Sequence, residues 1–225
     1  MLKVDNINLY YGAAQALRGV SPHVAQLRAL MLEESAPLYA FIFDHFGHTT
    51  ALRLLSEPYS LDDVRAIVGD VLHGLCAAHA QDIFHRDVKH TNVVIDRQSR
   101  RARLVDWGQA EFVLPGRAYT LRVATRAFKP PEVLLGWPRY GPAVDLWGAG
   151  QLLACLLFRR SKLFEAEEDA AQLEEIAAQV GSAGVRELCA REGVELSPRV
   201  ALALARHEST APNWAGWFDA HSGDC

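Results

Sequence analysis

The chain has 225 residues, half of them apolar, with 23 Lys and Arg against 27 Asp and Glu and a formal net charge of −4. The apolar share is enough to bury a substantial core, and the acidic balance, with a pI near 6.1, argues against nucleic acid as the main partner. Cys76, Cys155, Cys189 and Cys225 form no C-x-x-C pair, which fits reduced thiols in a cytosolic or nuclear protein rather than a disulfide framework or zinc site.

The N-terminus, Met1-Leu2-Lys3-Val4-Asp5-Asn6, has no signal-peptide apolar region. Val24–Leu32 and Leu38–Phe43 read as two strands joined by the polar turn Glu33-Glu34-Ser35-Ala36-Pro37. Ser60-Leu61-Asp62-Asp63 resembles a capping box, and after it Leu61, Val64, Ile67, Val68, Val71, Leu72 and Leu75 recur at helical spacing. Asn92–Asp96 and Ala102–Asp106 read as short strands around the basic turn Arg97–Arg101, a solvated turn by its composition. From Trp107 to Glu132 the pattern is irregular, and connections of that length are usually functional. Ala143–Phe158 reads as a buried helix and Glu165–Val180 as an amphipathic one, with irregular structure after Ser209. The longest apolar run, Gly148 to Phe158, is about half a membrane span, so no membrane partner is expected.

The chemistry sits between the long helix and the irregular stretch. His85-Arg86-Asp87-Val88-Lys89-His90-Thr91-Asn92 is followed by Asp106-Trp107-Gly108. This places an Asp, a Lys, an Asn and a second Asp at the spacing that phosphoryl transfer requires. Asp87 can accept a hydroxyl proton, and Lys89 can neutralise a transferring phosphate. Asn92 and Asp106 offer the hard oxygen ligands that suit Mg²⁺.

These residues resemble the eukaryotic protein kinases. Lys129-Pro130-Pro131-Glu132 looks like the A-P-E element, and Asp145-Leu146-Trp147-Gly148-Ala149-Gly150 is similar to the D-x-W-S-x-G start of the central C-lobe helix. Trp107, in place of the usual Phe of D-F-G, brings the chain nearest to the casein kinase II catalytic (alpha) subunit. Asn92–Asp96, Val105–Phe112, Arg122–Arg126 and Leu157-Phe158-Arg159 are similar to that family as well.

The resemblance implies an α+β protein-kinase-like fold with a mainly α-helical C-lobe and a truncated, β-containing N-lobe. Residues 1–225 would form one domain: 1–43 the N-lobe remnant, 44–48 the hinge, and 49–225 a C-lobe lacking its last helices. It implies a serine/threonine kinase transferring the γ-phosphate of ATP, with GTP as an alternative donor, to Ser/Thr in acidic sequence contexts. Asp87 would be the catalytic base, Lys89 the phosphate-neutralising cation, and Asn92 and Asp106 the Mg²⁺ ligands. Phe43 would be the gatekeeper. The backbone of Asp44 and Phe46 would meet the adenine edge, with Val94 and Val105 beside the base. Arg122, Arg126 and Lys129 would bind the acidic residue after the phosphoacceptor in acidic protein substrates. Glu132 would pair with a late C-lobe Arg, and Asp145 would hold the catalytic-loop backbone.

The chain departs from the family at its start. It has no G-x-G-x-x-G, Lys3 is its sole lysine before Lys89, and the expected helix over Asn8–Arg18 carries no Glu. A regulatory subunit of the family would contact that N-lobe. Without the clamp on the β- and γ-phosphates, weak Mg²⁺-dependent ATP binding is expected, with transfer slowed by several powers of ten to near background. The alternative is a catalytically impaired pseudokinase or gene fragment acting as a binding or scaffold protein.

Overall fold

A computed structural model describes residues 21–25, 27–32, 39–43, 45–47, 49–207 and 214, giving the backbone alone over 27–32 and 39–42. Lys3, the expected helix over Asn8–Arg18, the Glu33–Pro37 turn, Asp44 and, Trp214 apart, the segment after Ser209 lie outside the described residues.

Strands β1 (Leu27–Leu32) and β2 (Tyr39–Phe43) form an antiparallel pair, Leu27 opposite Phe43 and Leu32 opposite Tyr39. The first strand is shorter than its apolar run suggests. Val24 is instead fully buried in a parallel bridge to Leu104, so the chain changes partner before β1 begins. Strand β3 (Thr49–Thr50) leads into the short helix α1 (Ala51–Leu54), whose first turn is capped by the Thr50 hydroxyl.

Helix α2 (Leu61–His79) starts where the sequence places it. Ser60 Oγ accepts from Asp63 N at 3.2 Å, and Asp63 Oδ2 accepts from Ser60 N at 2.8 Å. Such a cap is worth about 1 kcal/mol, and its hydrogen bonds hold the Asp63 carboxyl below the usual carboxylate range. Val64, Ile67, Val71 and Leu75 fill one face of α2 and enter the main core.

Strand β4 (Ile83–Phe84) pairs with β7 (Glu111–Phe112). Strands β5 (Val93–Asp96) and β6 (Arg101–Leu104) form a hairpin, and β3 pairs on the other edge of β5. Residues alternate across a strand, so Val93 and Ile95 face the core while Val94 does not.

Between Trp107 and Pro130 the chain is irregular apart from β7 and single 3-10 turns at Trp107–Gln109 and Arg126–Phe128. The helices α3 (Pro131–Leu134), α4 (Ala143–Phe158), α5 (Asp169–Val180), α6 (Ala183–Glu192) and α7 (Pro198–Ala205) complete the described chain. Helix α4 supplies Leu152 and Leu156 to the main core, yet it is not buried on every side. Ala143, Leu146, Gly150 and Leu153 form an exposed stripe that its mostly apolar composition conceals. Helix α5 begins four residues later than the sequence suggests, because Glu165 N and Ala166 N bond the Glu175 carboxylate instead of joining the helix. Helices α5, α6 and α7 share a second core built on Leu173, Ile176, Val185 and Leu204.

The result is a mixed α+β architecture of several helices and small sheets, consistent with a protein-kinase fold. No helix among the described residues is long and apolar enough to cross a membrane.

Candidate functional site

The loop from His85 to Asn92 leaves β4 and is fixed from below by Asp145, on the first turn of α4. The Asp145 carboxylate is fully buried; it accepts from His85 N at 2.8 Å and Arg86 N at 2.7 Å, and lies 2.8 Å from His79 Nε2. This is the backbone contact expected of Asp145. It holds Arg86 at a φ of 69°, a left-handed conformation that costs a non-glycine residue about 1–2 kcal/mol. The Arg86 side chain is itself anchored, donating from Nε to Gln109 O at 2.6 Å. Gly148, one turn into the same helix, makes room for the loop: a Cβ there would sit 2.6 Å from Val88 O.

His85 is fully buried and acts as a post between the two motifs. Its Nδ1 accepts from Asp87 N at 3.1 Å, and its Nε2 donates to Val105 O at 3.0 Å. That pair of bonds selects the neutral Nε2–H tautomer. Burial agrees, pushing the imidazole pKa down against the smaller opposing pull of Asp145, Asp87 and Asp106. The edge of the Trp107 ring meets His85 at a centroid distance of 4.6 Å, and Trp107 Nε1 donates to Leu104 O at 3.2 Å. The indole is therefore a core residue with its single polar atom satisfied.

On this support sit the polar groups. Asp87 is 4% exposed. Its Oδ2 accepts from Lys89 Nζ at 2.7 Å and Asn92 Nδ2 at 3.1 Å. Its Oδ1 accepts from Thr125 N at 3.0 Å and Thr125 Oγ1 at 3.2 Å. Lys89 Nζ also donates to Thr125 Oγ1 at 2.6 Å.

Asn92 Nδ2 additionally donates to Asp87 O at 2.9 Å. The amide nitrogen is thus committed to Asp87, which leaves Oδ1, held by the Thr91 hydroxyl at a long 3.4 Å, as the atom available to a cation. The β5–β6 hairpin then carries the arrangement onward: Val105 N donates to Asn92 O at 2.9 Å, which brings Asp106 in beside Asn92. Asp106 has a φ of 61° and is exposed, and among the described residues its carboxylate has no hydrogen-bond or ion-pair partner. A neutral carbonyl oxygen and a free carboxylate are a donor set that fits Mg²⁺. Asn92 and Asp106 are the residues that would hold it.

Asp87, Lys89, Asn92 and Asp106 therefore share one place. Val94 and Val105 are half-buried and lie on this hairpin, and Phe46 stacks under the Arg103 guanidinium at 4.1 Å. Gly47, with a φ of 66°, lets residues 45–47 lie against β5; a Cβ there would be 2.3 Å from Ile95 O. Phe43 is 50% exposed at the end of β2.

The three basic residues of the irregular segment divide. Arg126 Nη1 bonds Asp169 Oδ1 at 2.6 Å and its Nη2 donates to Glu167 O, so this side chain is held by the start of α5. Arg122 is exposed and Lys129 half-buried, and among the described residues neither side chain has an ion-pair partner. Arg117 pairs with Glu111 at 2.5 Å. Glu132 has no cationic partner among the described residues, and burial raises its carboxyl pKa.

Two contributors escaped the sequence reading. Thr125 was legible as part of a motif but not as a partner of both Asp87 and Lys89. His79 joins Asp145 from the last turn of α2. Nothing in local spacing signals either contact.

Residues 12–201 match the family model of the protein kinase domain. The match spans most of the chain, which belongs to the protein kinase domain family. The family is one of ATP-binding phosphotransferases that generally use Mg²⁺ and act on protein substrates.

Proposed function

We propose that this chain is a serine/threonine protein kinase of the casein kinase II alpha type, with residues 44–48 hinging an N-terminal part to a C-lobe that starts at 49. Asp87 is the base, and the observation that carries the reading is its carboxylate, bonded at once to Lys89, Asn92 and Thr125. A substrate hydroxyl arriving at Asp87 Oδ1 takes over the position of the Thr125 hydroxyl and gives its proton to the carboxylate as the phosphate transfers. Lys89 stands at 2.7 Å from that carboxylate, where its charge offsets the negative charge on the phosphate in flight. When bound, Mg²⁺ neutralises the nucleotide phosphates, and Asn92 and Asp106 are its protein ligands. The backbone of Asp44 and Phe46 meets the base of ATP, Val94 and Val105 pack against it, and GTP competes for the same place.

For the peptide, Arg122 and Lys129 bind the acidic residue that follows the phosphoacceptor, and Arg126 completes the pocket from its anchor on α5. An unpaired cation on an acidic protein is the footprint expected of an acidic substrate.

The test is transfer of radiolabelled γ-phosphate from ATP to an acidic Ser peptide, with Asp87→Asn as the blank and nucleotide binding followed in parallel. The expected result is Mg²⁺-dependent ATP binding lost in Asp106→Asn, and slow transfer lost in Asp87→Asn. Transfer no greater in the parent than in Asp87→Asn, with binding retained, refutes the catalytic reading and leaves a nucleotide-binding scaffold. Acidic and neutral peptides that bind equally at low salt refute the pocket, because exposed charge pairs act most strongly there.

A further inference from the structure

Away from Asp87, the ligating atoms of His23, Asp70 and His73 lie within 4.8 Å of one another. Asp70 and His73 share a face of α2, since residues three apart on a helix are neighbours. His23 reaches them from the segment ahead of β1, and its backbone is fixed there. Leu104 N donates to His23 O at 3.0 Å, and Ala25 N donates to Leu104 O at 3.2 Å. Gly74 admits this close approach, since a Cβ there would lie 3.2 Å from His23 O.

Asp70 is buried, and its Oδ2 is held by Arg101 Nε at 2.9 Å and Ala102 N at 2.8 Å. Those bonds aim Oδ1 at His23 Nδ1, 3.1 Å away. The His23 and His73 rings are 5.2 Å apart between centroids. A cleft of about 590 Å³ opens beside the group.

We propose that His23, Asp70 and His73 form a site for a divalent transition metal of the zinc type. Two imidazoles and one carboxylate suit zinc and its neighbours in the first row, whereas Mg²⁺ prefers a set made wholly of oxygen. The metal binds at His23 Nδ1 and Asp70 Oδ1, the ring's single N–H moving through solvent from Nδ1 to Nε2 so that the imidazole stays neutral, and water from the cleft completes its coordination. Arg101 is the opposing charge, with Nη2 at 3.2 and 3.4 Å from the two His23 nitrogens. It gives up those contacts and keeps its Nε bond to Asp70, where it orients the ligating carboxylate. The bound metal ties residues 21–25 to α2.

The test is a titration of the purified chain, first stripped with chelator, using Zn²⁺ and, as a spectroscopic probe, Co²⁺. The parent should bind one Zn²⁺ per chain, show a visible Co²⁺ band, and gain thermal stability with Zn²⁺. An excess of Mg²⁺ should not compete. His73 is exposed, so His73→Gln should fold normally while losing Zn²⁺ affinity by roughly tenfold or more; His23→Gln should do the same. Zn²⁺ affinity unchanged in both variants, or absent from the parent, overturns the proposal.

Discussion

Replacing Asp145 by Asn removes one charge and converts one acceptor oxygen into a donor, at a fully buried position that holds two backbone N–H groups. Whichever way the new amide turns, its NH₂ faces a donor. With its oxygen toward Arg86 N, the amide of His85 is orphaned; turned over, that of Arg86 is. An unsatisfied buried donor costs about 1–3 kcal/mol, and the surviving bonds weaken from the charged toward the neutral class by about 1 kcal/mol each. The total is about 2–5 kcal/mol. At about 2–4 °C per kcal/mol for a chain of this size, the melting temperature should fall by roughly 4–20 °C. Hydrogen exchange locates the effect, because one of the amides at positions 85 and 86 should lose more protection than the rest of the core. Chemical denaturation gives the magnitude. A stability within about 1 kcal/mol of the parent, with both amides still protected, would refute the argument that Asp145 holds this loop.

Glycines in two helices make a matched pair. Gly148→Ala places a Cβ 2.6 Å from Val88 O and 2.8 Å from Val88 Cβ, whereas Gly69→Ala in α2 meets nothing within 4 Å. The first should destabilise by about 1–3 kcal/mol from overpacking and the second stabilise by about 1 kcal/mol from helix propensity; urea midpoints of the same sign would count against the packing account. The lowered pKa of buried His85 means that the unfolded chain binds its proton first as pH falls. Stability from this residue is whole above about pH 6.5 and is lost below it, by up to about 1.4 kcal/mol per pH unit, until the folded-state pKa is passed. Denaturation midpoints that stay flat from pH 7.5 to 5.5 would contradict this. Burial pushes the Cys155 thiol up to about 12, while Cys76 is exposed. Iodoacetamide followed by peptide mapping should modify Cys76 in the native protein and Cys155 only after denaturation; rapid native labelling of Cys155 would show that its pocket opens.

Much of the fold was legible wherever a local signal and the tertiary demand coincide. Helix α2 combines a capping box with seven apolar residues at helical spacing; the box forms and Val64, Ile67, Val68, Val71 and Leu75 are buried, while Leu61 and Leu72 are exposed. Helices α6 and α7 give far less. Between them α6 buries Val185 and Cys189 and α7 buries Val200, Ala203 and Leu204, on sequences rich in alanine, and their packing against α5 is decided by partners elsewhere. The run from Val24 to Leu32 fails for another reason. A continuous apolar stretch does not say which residues pair with which neighbour, and here Val24 belongs to β6's edge while Leu27–Leu32 belongs to β2.

The site divides along the same line. Asp87, Lys89 and Asn92 lie within six residues, so a single loop fixes their mutual geometry and their spacing carries it. Thr125 meets Asp87 across a separation of 38 residues, and Arg126 meets Asp169 across 43. A charge count taken inside the irregular segment makes Arg126 an available cation, because the carboxylate that pairs with it stands at the start of α5. The same separation shapes the chemistry proposed for Asp87. Both of its oxygens are filled, but the bonds differ in origin: those from Lys89 and Asn92 are built into the loop, whereas those from Thr125 come from a distant segment. A hydroxyl that enters at Oδ1 therefore displaces the long-range partner and leaves the loop's own bonds in place. On that proposal the segment around Thr125 would take up the adjustment, and Lys89, bonded to both, would keep its hold on the carboxylate.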